Sequence, residues 1–233
     1  NLSGIKTDSA TNMGAMFSGC SSLTSLDLSD LDTANVTDMS WMFSGCSALA
    51  SLNLNGVKTD SATDMSCMFQ GCTSLASIDL ATFNTSKVTS MWRMFWNCSS
   101  LASLDLSSLD ISSVRSMTSM LSGCSALTAI DLSGLDTSSV TDIREMFSNC
   151  ASLVSVNMSG LDMSSVTEMS SLFSGCTTLR SVDFSSSDIS NVKDMSYLFN
   201  GHNELESISL SNADISGVTN LSLYTSDAAD DLI

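Results

Sequence analysis

The sequence predicts an α/β repeat solenoid of about eight coils of 26 residues, with a parallel β-sheet on one face and short helices on the other. Three observations predict it. The phrase MFSGC ends at Cys20 and Cys46. It returns in altered form at Cys72, Cys98, Cys124, Cys150, Cys176 and, as LFNGH, at His202, always at intervals of 26 residues. A leucine block, L-x-x-L-x-L, follows each of these positions. Proline is absent from all 233 residues, as expected when every coil must donate backbone hydrogen bonds to its neighbour.

Within the coil from Cys20 to Phe43, each element follows from the spacing. Leu23, Leu26 and Leu28 form the leucine block, and the alternation Leu26-Asp27-Leu28 has the period of a strand with one buried face. The block is a leucine-rich-repeat strand signature, so the expected fold is leucine-rich-repeat-like. It recurs from Leu49-Leu52-Leu54 through to Leu205-Ile208-Leu210. Met39, Met42 and Phe43 then stand at i, i+3 and i+4, which predicts one or two turns of helix with an apolar stripe. Asp38 or Ser40 is placed to cap its start, and Gly45, or Asn97 and Asn149 in the equivalent slot, to end it. One coil buries too little to offset the entropy of ordering its backbone, so coils must stack and share a core.

Seven of the eight cysteines occupy one slot, and His202 fills that slot in the last full coil. Their spacing follows the repeat, so buried thiols are expected at the start of each strand segment, with no disulfide framework. His202 is read as a core substitution. Cys67 alone is off this register. Its slot holds Trp41, Arg93, Ser119, Glu145, Ser171 and Tyr197 in other coils, which predicts an exposed, reactive thiol.

Residues between the leucines face outward on the predicted sheet. The central column runs Asp27, Asn53, Asp79, Asp105, Asp131, Asn157, Asp183, Ser209, between columns that are mostly serine. With strands roughly 4.7–4.9 Å apart, the consecutive carboxylates of Asp79, Asp105 and Asp131 repel by about 1 kcal/mol even at the dielectric of water. They form a candidate ledge for a cation or a basic partner, though a flat column offers few of the converging oxygens that calcium requires. A second acidic column, Asp32, Asp110, Asp136, Asp162, Asp188 and Asp214, lies beyond the strand, where aspartate stabilises turns. The other candidate ligand-binding spot is Trp92, Arg93 and Trp96, in the phrase TSMWRMFWNC. Both indoles stand in slots held mainly by serine or glycine elsewhere. Trp41 occupies a different column and is expected to stand apart.

Lysine and arginine number 8 against 25 acidic residues, and the resulting net charge of −17 excludes nonspecific nucleic-acid binding. With a single histidine in the chain, neither a histidine-based nucleophile–base pair nor a common zinc site can be assembled. The chain is therefore read as non-catalytic, with no metal and no cofactor. No apolar run approaches the roughly 20 residues of a membrane helix.

The unit LDLSxLDTSxVTDMSxMFSGCSSLTS resembles the short repeat of bacterial surface proteins first noted in Mycoplasma lipoprotein-like sequences. It is similar to the leucine-rich repeats of BspA-like proteins, whose unit also carries F-x-x-C before a leucine strand. The resemblance covers about residues 1–220. It implies a cell-surface or extracellular array for adhesion, protein binding or aggregation, with a host, neighbouring-cell or matrix protein as partner; the pair Trp92 and Trp96 suggests a carbohydrate as the other partner class. It carries no catalytic residues. A passive stalk presenting another domain is the alternative. On this reading, residues 1–220 are a solenoid from a longer array. Residues 221–233, where LSLYTSDAADDLI replaces the expected MSxMF, are an off-template tail resembling translated sequencing-adapter DNA.

Overall fold

The destination of the backbone amides decides the architecture: those that close local turns alternate with those that bond to the neighbouring coil, along the solenoid axis. The computed structural model describes residue 2, residues 4–202 and residues 204–222. Three-residue strands form at the leucine block: β1 (Ser25–Asp27), β2 (Ser51–Asn53), β3 (Ala129–Asp131), β4 (Ser155–Asn157), β5 (Ser181–Asp183) and β6 (Ser207–Ser209). They pair parallel, in register with the repeat, as in Ser25 opposite Ser51 and Val156 opposite Val182. A second ladder of single bridges runs from Asn12 through Asp38, Asp64, Ser90, Ser116, Asp142, Glu168 and Asp194 to Asn220. The chain is thus a parallel β-solenoid. Seven intervals of 26 residues separate Cys20 from His202, so it has about seven coils. The expectation of eight counted occurrences of the repeated phrase and not the intervals between them. Of the off-template stretch, Ser222 still accepts the Tyr197 N–H at 2.8 Å, and everything after Ser222 lies outside the described residues.

The expected short helices are not there: the described residues contain no helix. The segment Met39 to Cys46 shows why. The N–H groups of Met39, Trp41, Phe43 and Gly45 donate to the carbonyls of Asp64, Ser66, Met68 and Gln70 in the next coil, at 2.7–3.1 Å. Those of Met42, Ser44 and Cys46 donate back three residues, to Met39, Trp41 and Phe43. A helix would keep all of these bonds inside the coil, and it could not contain Trp41 at φ 59° or Gly45 at φ 72°, both left-handed. The segment is a run of turns that curls like a helix. Met39, Met42 and Phe43 still point inward, each no more than 1% exposed. Asn97 and Asn149 take the left-handed conformation expected of the Gly45 slot, at φ 57° and 60°, but as turn residues and not as helix caps.

The sheet is also less continuous than expected. β1 and β2 form one sheet and β3 to β6 another, and the coils carrying Ile78 and Leu104 join neither. In every pair that forms, aspartate faces a neutral residue: Asp27 faces Asn53, Asn157 faces both Asp131 and Asp183, and Asp183 faces Ser209. The missing pairs are those that would set Asp79 against Asp105 and Asp105 against Asp131, together with Asn53 against Asp79. Like charge alone does not account for the gap, because Asp38 pairs with Asp64 in the second ladder, and Asp188 bridges both Asp162 and Asp214.

Inside, the 26-residue repeat stacks identical side chains. Phe17, Phe43, Phe69 and Phe95 form a column with ring centroids 5.2–5.7 Å apart and planes within 10°. Leu121 interrupts it, and Phe147, Phe173 and Phe199 resume it. The cysteine column lies alongside as expected, with Cys46 to Cys176 fully buried and Cys20, in the first coil, exposed. Each buried thiol of the column donates to a backbone carbonyl of the preceding coil, as Cys72 Sγ does to Phe43 at 3.2 Å. Burial pushes the thiols of Cys72 and Cys124 up to about 12.

Candidate functional site

Two surfaces carry the residues singled out in the sequence. The first is the sheet face. From the coil of Leu104 to β6 it forms an open trough of about 730 Å³. Asp105, Asp131, Asn157 and Asp183 line it with serines, and the strand residues Ile130, Val156 and Val182 between them are buried beneath, in the core. A second trough of about 480 Å³ lies beside β1 and β2, against Asp27, Asp30 and Asn53. Asp79, in the coil that joins neither sheet, is exposed and lines neither trough.

Each member of the column has a local task first. The backbone N–H of the residue two positions on donates to one side-chain oxygen: Ser29 to Asp27 at 3.0 Å, Ala81 to Asp79, Ser107 to Asp105 and Ser133 to Asp131 at 2.9 Å, and Ser185 to Asp183 at 2.8 Å. Asn53 and Asn157 accept in the same way. These Asx turns fold the chain away from the strand. The Ser107 and Ser133 hydroxyls and amides hold the carboxyls of Asp105 and Asp131 below the usual aspartate range. The Ser29 and Ser185 amides and hydroxyls do the same for Asp27 and Asp183. The second acidic column works identically at the next corner, where Ser112, Ser138 and Ser164 donate to Asp110, Asp136 and Asp162. Among the described residues, no group of three or more histidine, cysteine or acidic side chains is placed to hold a metal ion.

The second surface lies on the turn-rich side. The Arg93 guanidinium sits 4.9 Å from the Trp92 ring and 5.4 Å from the Trp96 ring, so Trp92, Arg93 and Trp96 form one cluster. Trp41 does not stand apart: its ring meets Trp92 edge to face at 6.3 Å. The two belong to coils on either side of the one that carries Cys67, and an indole is long enough to reach across. Cys67 is not exposed but fully buried, and burial pushes its thiol up to about 11. Sequence reading treated its slot as free because the slot varies. The slot buries a small side chain elsewhere too, since Ser119 is 1% exposed. Gln70, the member of the Trp96 slot one coil earlier, was also missed. Its Oε1 and the Nε of Arg93 are both buried without a hydrogen-bond partner. The only signal in the sequence was a glutamine where most coils have serine.

His202 packs edge to face on Phe199, with ring centroids 5.7 Å apart, at the end of the cysteine column. It stands where the repeat calls for a core residue.

A family model described as "Mycoplasma protein of unknown function, DUF285" matches residues 11–135, 63–180 and 125–230. The crystal structure of the T. pallidum leucine-rich repeat protein TpLRR is 23% identical with a TM-score of 0.38, covering 81% of this chain and 67% of that one. A leucine-rich repeat protein from Bacteroides ovatus is 17% identical with a TM-score of 0.32, covering 88% of this chain and 68% of that one. No curated protein matches.

Proposed function

Because this chain belongs to the family described as Mycoplasma protein of unknown function, DUF285, we propose that it is a non-catalytic repeat array that binds protein at a cell surface. The observation that carries this reading is the trough of about 730 Å³ along β3 to β6 and the coil before them. An open trough running along stacked coils offers the extended contact surface that solenoid proteins use for binding. Asp105, Asp131 and Asp183 along it, in a chain of net charge −17, favour a partner whose contacting surface is basic. Adhesion to a host, neighbouring-cell or matrix protein is the biological form that this binding takes on our reading.

The test is direct binding of the chain to immobilised extracellular-matrix proteins, compared with an Asp105→Asn/Asp131→Asn/Asp183→Asn variant. Asparagine keeps the Asx turns, as Asn53 and Asn157 do. Saturable binding that weakens in the variant and with added salt supports the reading. Binding unaffected by either, or absent throughout, contradicts it.

One observation favours a second reading, a stiff spacer holding another domain away from the cell. The aspartates of the sheet face are all engaged in their own turns. A spacer needs that regularity and needs no partner. A variant that binds nothing and still restores display of an attached domain would favour the spacer.

A further inference from the structure

All three tryptophans of the chain converge on one place, where Trp41 meets Trp92 and Arg93 joins Trp92 to Trp96. The fold does not require them there. The Trp96 slot holds Ser44, Ser122 and Ser148 in other coils, tucked in at 5–8% exposure, and the Trp92 slot holds Ser66 and Ser196 at 7%. An indole cannot tuck in, so it lies across the outside, and Trp41 remains 38% exposed. Two polar atoms here are buried without partners, a donor at Arg93 Nε and an acceptor at Gln70 Oε1, the latter on the residue stacked one coil before Trp96. Unpaired buried groups of opposite kind in one cluster destabilise a fold unless something satisfies them.

The chemistry of the cluster narrows what that something is. Trp92 and Trp96 already hold a cation, the Arg93 guanidinium, so a second cation meets like charge. An anion meets the field of a chain with net charge −17. A neutral ligand remains, with an apolar face for an indole and groups that both donate and accept. A hydroxyl does both. A pyranose ring presents a C–H face and several hydroxyls, whereas an apolar peptide would cover the rings and leave Arg93 Nε and Gln70 Oε1 unpaired. We propose that Trp41, Trp92, Arg93, Trp96 and Gln70 form a binding site for a neutral oligosaccharide, separate from the trough. The sugar stacks on an indole and reaches the two buried atoms when Trp92 or Trp96 turns aside.

Every tryptophan reports on this cluster, so intrinsic fluorescence reads it directly. The chain is titrated with cellohexaose, chitohexaose and mannohexaose in separate arms, and with a short leucine-rich peptide. The titrations are repeated with Trp92→Ser and Trp96→Ser, which restore residues that other coils carry, and thermal melting confirms that each variant folds. The expected result is a saturable change with at least one sugar, weakened by about tenfold or more in each variant. It persists in the Asp105→Asn/Asp131→Asn/Asp183→Asn variant, so failure of this site and failure of the trough are told apart. No saturable change with any sugar overturns the proposal, as does sugar binding that survives both tryptophan substitutions. Saturation by the peptide alone overturns it in favour of a protein partner.

Discussion

Trp41 and Trp92 meet edge to face at 6.3 Å across the coil that carries Cys67. The contact joins coils that are not neighbours. Cys67, in the coil between them, has no exposed surface. This predicts the pattern of thiol reactivity. In the native chain at about pH 8, where thiolate forms readily on an exposed cysteine, Cys20 reacts first with an aromatic disulfide reagent. Cys67 reacts at the slow rate of the column. Trp92→Ser removes the indole that meets Trp41 and is expected to make Cys67 the second thiol to react, read by mass mapping. Equal rates at Cys20 and Cys67 in the native chain would contradict the burial of Cys67.

The phenylalanine column predicts how the solenoid fails. Phe95 is fully buried and stacks on Phe69 at 5.2 Å, just before Leu121 interrupts the column. Phe95→Ala removes a buried ring and leaves a cavity, at a cost of about 3–5 kcal/mol. Because repeat arrays are stabilised coil by coil, the loss weakens coupling between the two halves. Urea unfolding of this variant is expected to show two transitions where the native chain shows fewer. A single, merely shifted transition would mean that the column does not set cooperativity.

The Asx corners set the acid limit of stability. Hydrogen bonds from serine hydroxyls and amides lower the carboxyls of Asp105, Asp110, Asp131, Asp136 and Asp162 in the folded chain. Their contribution is present above the unfolded aspartate value of about 3.9 and is lost as pH falls through the lower folded values, because the unfolded chain takes up protons first. The urea midpoint should therefore drop as pH falls below about 4, with a shallower drop when one of these residues is asparagine. A midpoint that climbs steadily on acidification would mean that relief of the net negative charge outweighs the corners.

Most of the fold is written in the spacing. The repeat fixed the coil length, Leu26 and its equivalents fixed the strand, and the shared slot fixed the burial of Cys46 to Cys176. The helices were misread because Met39, Met42 and Phe43 point inward equally well from a helix and from a run of turns. What separates the two is where the amides of Trp41 and Phe43 donate, and that depends on the next coil. The left-handed Trp41 slot, which any helix would exclude, carries no glycine to announce it. The aromatic cluster was half legible. Trp92 and Trp96 stood out as misfits among serines, but the reach of Trp41 to Trp92 crosses two coils and two columns, and one-coil templates cannot see it.

The most direct test of a helix-free solenoid bonded along its axis is detection of individual hydrogen bonds by through-bond NMR couplings in the deuterated chain. The account predicts couplings from the Trp41, Phe43 and Gly45 amides to the carbonyls of Ser66, Met68 and Gln70, and from Thr63 to Thr37. Couplings from Trp41 to Thr37 and from Gly45 to Trp41 would instead place a helix on this side of every coil and contradict the account.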